Sequence, residues 1–207
     1  MTSSSVPEEP EKPTSSYEFV DLGLPSGTLW ATTNVGAEKP EDFGLYFAWG
    51  EIQGYSGITD EKQFTWDDYK FGTEDALTKY NNIDGLTVLE LEDDAAYQSD
   101  NTCRIPTLED FEELIANTTS TWETLNGVNG RKLTSKTNNN SIFIPAAGKY
   151  DDGSVDLVGL FGLFLSSSLY ENLPSSGWAL AFNPGIMEMG AGSRSCGVSV
   201  RPVKSIN

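Results

Sequence analysis

Aspartates at 151, 152 and 156 stand on either side of Gly153 and Ser154, so carboxylate oxygens recur at close spacing around a turn. Oxygen-rich turns of this kind hold calcium, an ion that takes about six to eight oxygen ligands. This stretch is shorter than an EF-hand loop and lacks its closing glutamate, which makes an acidic surface turn the plainer reading. A second acidic run, from Glu90 to Asp94, could add oxygens, but its carboxylates are also placed to cap the backbone that follows. Cys103 and Cys196 are the two cysteines; an oxidising compartment would permit a bridge between them, and nothing in their spacing requires one. With 31 Asp and Glu, a carboxylate pair for glycoside hydrolysis is available, yet no local motif singles one out.

Other chemistries are excluded by what is missing. The chain has no histidine, so Ser-His-Asp and Cys-His relays and imidazole-ligated zinc drop out. A formal charge of −18 repels phosphate backbones and anionic lipid, so no nucleic-acid partner is expected. No apolar run of about 18 residues exists to span a bilayer.

Whatever chemistry remains must be positioned by the elements around it. Residues 1–16 are Ser, Pro, Glu and Thr with almost no apolar content and read as a disordered linker lacking the apolar stretch of a secretory signal. Residues 17–207 read as one domain. It opens with a β-hairpin reversing at Leu24 to Gly27, where Pro and Gly sit between β-formers. Pro40 with acids after it suggests a short helix beginning at Lys39. Leu45 to Trp49 reads as a buried strand, and residues 50–85 as a long irregular insertion anchored by Tyr55, Phe64, Trp66, Tyr69 and Phe71. The clearest helix is Leu108 to Asn117: Thr107 and Asp110 form a capping box, and Leu108, Phe111, Leu114 and Ile115 make one stripe. Short strands follow at 120–124, 131–135, 141–144, 165–170, 178–182 and 198–203, separated by Gly- and Asn-rich turns. The class is therefore α+β, mainly antiparallel, with two helices and long irregular loops.

Several phrases in this framework are specific: VDLGLPSGTLWA at 20–31, NVGA at 34–37, PED at 40–42, FAWGE at 47–51, DDAA at 93–96, RIPT at 104–107, FIPAAG at 143–148, SSS at 166–168 and GVSVRPV at 197–203. Together they resemble the paralogous-domain proteins of gut Bacteroidetes and Fibrobacter, which resemble the C-type-lectin-like fold in its formylglycine-generating-enzyme-like branch. The resemblance implies that the chain ends pair as neighbouring strands and that the C-terminal part displays a ligand surface. Departures concentrate in the last quarter: Leu163, Phe164 and Leu165 where Tyr and Trp are usual, Ala179 and Ala181 in place of large aromatics, and Gly190 to Ser193 where Asn and Tyr are common. That pattern is similar to the variable protein of a diversity-generating retroelement, whose rigid scaffold carries rewritable binding loops.

Under this resemblance the chain is a non-enzymatic, receptor- or adhesin-type ligand-binding protein, extracellular or on a cell surface, lipid-anchored or phage-encoded, meeting a protein or glycan. Strand alternation places Trp178, Leu180 and Phe182 in the core and turns Ala179 and Ala181 to an exposed face. Leu163, Leu165 and a loop containing Gly190, Ala191, Ser193, Ser195 and Cys196 join them in a shallow patch. Tyr170, Asn172, Ser175 and Ser176 supply hydrogen-bonding groups at its edge. Because Cys196 falls where the family varies, Cys103 and Cys196 read as free thiols, and the copper-dependent oxidase activity of the wider fold is not carried over. The alternatives are a calcium-assisted carbohydrate-binding or adhesin module using Asp151, Asp152 and Asp156, and an acid-pair glycosidase.

Overall fold

A computed structural model describes residues 16–57, 62–81 and 83–206. The expectation of a disordered linker thus lies outside the described residues except at Ser16, whose backbone N–H donates to Asp100 at 2.6 Å. The class is α+β: short, mainly antiparallel strands with two α-helices.

The opening hairpin forms as expected. Strands β1 (Phe19–Asp21) and β2 (Leu29–Ala31) pair antiparallel. Gly27 closes their turn with its N–H on Leu24 O and a φ of +74°, a conformation that suits a residue without Cβ. After β3 (Tyr46–Phe47) come a 3-10 turn at Trp66–Asp68 and a small hairpin, β4 (Gly72–Thr73) and β5 (Ala76–Leu77). The helix expected at Lys39 is a turn instead. Asp42 accepts from the N–H groups of Glu38 and Lys39 and closes the reversal before a helix can propagate.

Helix α1 (Ala95–Ser99) is capped by Asp94, whose carboxylate takes the Tyr97 N–H. Helix α2 (Leu108–Asn117) has the residue range read from its stripe, with Phe111 and Leu114 fully buried. Its capping box is present: Thr107 Oγ accepts from Asp110 N, and Asp110 accepts from Thr107 N. Asp110 is also gripped by both Nη atoms of Arg104.

The helix leads straight into β6 (Thr118–Leu125), β7 (Val128–Ser135) and β8 (Ser141–Pro145), an antiparallel sheet whose first reversal is Asn126-Gly127. Both turn residues have positive φ, the requirement of a two-residue turn matched to strand twist. Next comes the hairpin β9 (Lys149–Asp151) and β10 (Ser154–Asp156), then a second three-stranded sheet of β11 (Gly162–Leu169), β12 (Ser176–Phe182) and β13 (Met187–Ser193). The chain ends with β14 (Val198–Ser199), paired to β3, and β15 (Val203–Lys204), paired to β2 through Trp30↔Val203. First hairpin and last strand thus share one sheet. β13 corrects the sequence reading, which made Gly190 to Cys196 a loop: Gly190, Ala191 and Gly192 lack β propensity, but an unbroken register with β12 holds them extended.

The β11–β12–β13 sheet separates two cores. Phe164, Leu180 and Phe182 face α2, Trp30 and β7, while Leu165 and Ala179 face Trp49 and the aromatics of the 64–80 segment. That segment is tied down by Arg194. Its fully buried guanidinium donates to Tyr69 Oη and to the carbonyls of Lys79, Tyr80 and Pro174, and lies over the Trp49 ring. A second buried guanidinium, Arg201, joins Asn34 and the carbonyls of Ala31, Thr32 and Phe143. Carbonyls and ring faces satisfy these charges in place of carboxylates.

Candidate functional site

One face of β11 and β12 explains where an opening forms. Cross-strand partners share a face, so Leu163↔Ala181 and Leu165↔Ala179 lie side by side on it. The upper pair is sealed: Trp49 packs so closely that a Cβ on Gly177 would meet its ring at 2.8 Å, and its indole N–H is fixed on Ser166 O. Leu165 and Ala179 are consequently buried, which corrects their assignment to an exposed patch. The lower pair, Leu163 and Ala181, stays partly open and floors a depression of about 510 Å³.

The walls come from three other stretches. Ala191, Gly192 and Ser193 of β13, with Ser195 and Cys196 after them, line the depression together with Lys149, Asp151 and Asp152 of the β9–β10 hairpin, Thr65, Trp66 and Phe161. Phe64 locks these stretches together. Its ring packs on Tyr150 with centroids 4.7 Å apart and lies so near Gly197 that a Cβ there would approach it to 2.6 Å. Tyr150 and Gly197 exchange both backbone hydrogen bonds at 2.8 Å, and Gly153 N donates to Gln63 O. The hairpin tip is thereby held beside Gln63, three residues before Trp66.

Of the residues anticipated from sequence, Leu163, Ala181, Ala191, Ser193, Ser195 and Cys196 meet in this depression, together with Asp151 and Asp152, but Ser195 and Cys196 are buried in its lining and not exposed as expected. Gly190 lies one rung along β13 without lining it. The polar edge does not belong to it. Ser175 and Ser176 are buried at the start of β12, where Ser175 O takes the Arg194 N–H and Ser176 bonds to Leu173 and Tyr170. Tyr170 stacks edge-on against Trp178, and Asn172 is exposed in the intervening turn. Ser175 with Pro174 and Leu173 lines a separate hollow of about 430 Å³ beside Leu77 and Ile83. Sequence reasoning missed Trp66, Lys149 and Phe161 as neighbours of the site; the one available signal was Trp66 as an aromatic in a long irregular segment.

Two of the three aspartates already have partners. Lys149 Nζ sits 2.6 Å from Asp151, and Ser154 Oγ lies 3.4 Å from Asp156. Among the described residues the one trio of acids whose oxygens lie within 4.8 Å of one another is Glu90, Glu92 and Asp93. Lys79 Nζ reaches all three, at 2.6, 2.9 and 2.6 Å, so an ammonium occupies the centre of that cluster. Asp151, Asp152 and Asp156 do not form such a group.

Electrostatics leave one free charge at the rim. The Asp151 carboxylate raises the Lys149 ammonium above its ordinary range, so this pair is mutually satisfied. Asp152, exposed at a φ of +47°, has no hydrogen-bond or ion-pair partner among the described residues. Burial pushes the Cys196 thiol up to about 11 and, with Asp100 and Asp94 adding to it, the Cys103 thiol to about 12. Both are free, protonated at neutral pH and poor nucleophiles.

Fold and site together define an α+β domain with an open, mixed apolar and acidic depression. No family model, curated protein or solved structure matches the chain, and no helix among the described residues is long and apolar enough to cross a membrane.

Proposed function

We propose that this chain is a non-enzymatic ligand-binding domain with a C-type-lectin-like fold, a receptor- or adhesin-type protein meeting a protein or glycan through the depression floored by Leu163 and Ala181. The carrying observation is that residues from the departing last quarter, separated in sequence, line one concavity while framework residues beside them, such as Arg194 and Gly197, are buried. Pairing of β2 with β15 is the clasp of chain ends that a lectin-like fold requires. Small and apolar side chains at the floor and exposed edge leave packing to Trp49, Phe64 and Arg194, so changes there cost little stability. That division suits a surface rewritten by a diversity-generating retroelement at an extracellular or cell-surface location. Absence of histidine and the protonated thiols support the non-enzymatic reading.

The test is a displayed library randomised at Leu163, Ala181, Ala191 and Ser193. Most members should melt within about 5 °C of the parent, a shift of roughly 1–2 kcal/mol, and binders to unrelated proteins or glycans should be selectable. Wholesale unfolding would overturn the reading. Sequencing the locus across isolates should find changes confined to 163–196 beside a near-identical template repeat.

A further inference from the structure

β13 ends the order β11-β12-β13 and so has one unpaired side. Its register with β12 is unbroken from Ser176↔Ser193 to Phe182↔Met187. The bonds at its two ends, Arg194 N to Ser175 O and Asn183 N to Ile186 O, fix which residues face inward. In an antiparallel pair alternate residues exchange both bonds. Glu188, Gly190 and Gly192 therefore turn their backbone groups to β12, and those of Met189, Ala191 and Ser193 point outward. Natural edges are usually guarded by charged side chains, Pro or a bulge; residues 187–193 contain no Pro or bulge and one charge, the exposed Glu188, which repels an acidic strand and not a basic one. Ala191 is exposed, and a Cβ on Gly190 would meet no atom within 4 Å.

The open edge and the depression meet at Ala191 and Ser193, which line it along with Trp66 and Asp152. We propose that β13 accepts an extended, basic polypeptide segment as a fourth strand, seating a Lys or Arg side chain between the Trp66 ring and the Asp152 carboxylate. This rests on the ligand-binding reading and names its partner class. Backbone pairing supplies sequence-tolerant affinity, and the depression selects the side chain. A cation fits because Asp152 is unpartnered, Glu188 is exposed on β13 next to Ala181, and an indole face attracts an ammonium or guanidinium. A second copy of this chain is disfavoured at the same edge, since it would bring together two molecules each carrying −18.

The experiment uses the full chain and a capped octapeptide alternating arginine with valine, its glutamate-for-arginine counterpart, and a version N-methylated on one strand edge. The basic peptide should bind and slow amide exchange at Ala191 and Ser193 at least tenfold, the acidic one should not bind, and N-methylation should weaken binding at least tenfold. Ala191→Pro should do the same without lowering the melting midpoint, because the lost N–H is an outward one. Asp152→Asn should weaken the basic peptide by about threefold, as for an exposed ion pair. If Ala191→Pro unfolds the domain, the N-methylated peptide and Asp152→Asn carry the test. Undiminished binding of the N-methylated peptide overturns strand addition, as does failure of the basic peptide to bind at millimolar concentration. Oligosaccharide binding that perturbs Trp66 fluorescence and leaves both amides unprotected overturns it too, in favour of a sugar. In all three cases the library result still decides the depression reading independently.

Discussion

The guanidinium of Arg194 lies 4.5 Å from the centre of the Trp49 ring, and each holds a different part of the molecule: Arg194 the 69–80 segment, Trp49 the sealed half of the β11–β12 face. Lysine cannot reproduce four directed bonds and a stacked plane. Arg194→Lys should therefore lose about 3 kcal/mol, the scale for breaking a buried charged network. Urea denaturation measures it, and a loss below about 1 kcal/mol would show that the cage is not what holds the segment.

Neighbouring rungs of one strand pair should respond oppositely. Leu165→Ala empties space under Trp49 and should cost about 3 kcal/mol, whereas Leu163→Ala at the open rung should cost under about 1 kcal/mol. Equal losses in thermal melts of the two variants would contradict the partition of the face.

Asp110 predicts the acid limb. Burial works against its ionisation, but the Arg104 fork and the Thr107 groups outweigh it and hold its carboxyl below the usual range. A depressed native value stabilises above the unfolded value of about 4 and is lost as pH falls through the native one. Asp94 has the opposite sign: burial raises it despite the N–H groups it accepts, so protonation relieves the fold there. Urea midpoints from pH 7 to pH 3 should fall in the parent and fall less in Asp110→Asn, which starts about 2 kcal/mol lower at pH 7. A variant that tracks the parent throughout would remove Asp110 from the account.

Calcium at a few millimolar should leave the melting midpoint within about 1 °C, because an ion that binds only the native state must raise it in proportion to its affinity. Lys149 on Asp151 and Lys79 among Glu90, Glu92 and Asp93 already supply the cations. A clear upward shift in scanning calorimetry would mean that calcium displaces one of these lysines.

Local patterns carried much of the fold. Helix α2 was legible to its ends because Thr107, Asp110 and the Phe111–Leu114 stripe are all contiguous signals. The alternation along β12 was legible for Leu180 and Phe182, which are core, since it depends only on strand geometry; Trp178, expected beside them, is half-buried against Tyr170 at the strand's start and belongs to neither core. Which half of its outer face is covered was not, because Trp49 reaches it from a remote part of the chain. The same holds for the aspartates: their spacing resembles a ligand loop, and only the fold shows Lys149 already seated on Asp151. β13 was hidden because glycine and alanine mark no strand by themselves; its extended form is imposed by β12.

The antiparallel clasp of β2 by β15 leaves Phe19 and Lys204 two strands apart, on the order of 10 Å across the sheet. The fold is thus close to circular. A peptide of a few residues could join these positions, and the chain could be reopened at the exposed Asn126-Gly127 reversal with every backbone ladder preserved. The architecture belongs to the set of pairings, and the direction in which the polypeptide is threaded through them is secondary.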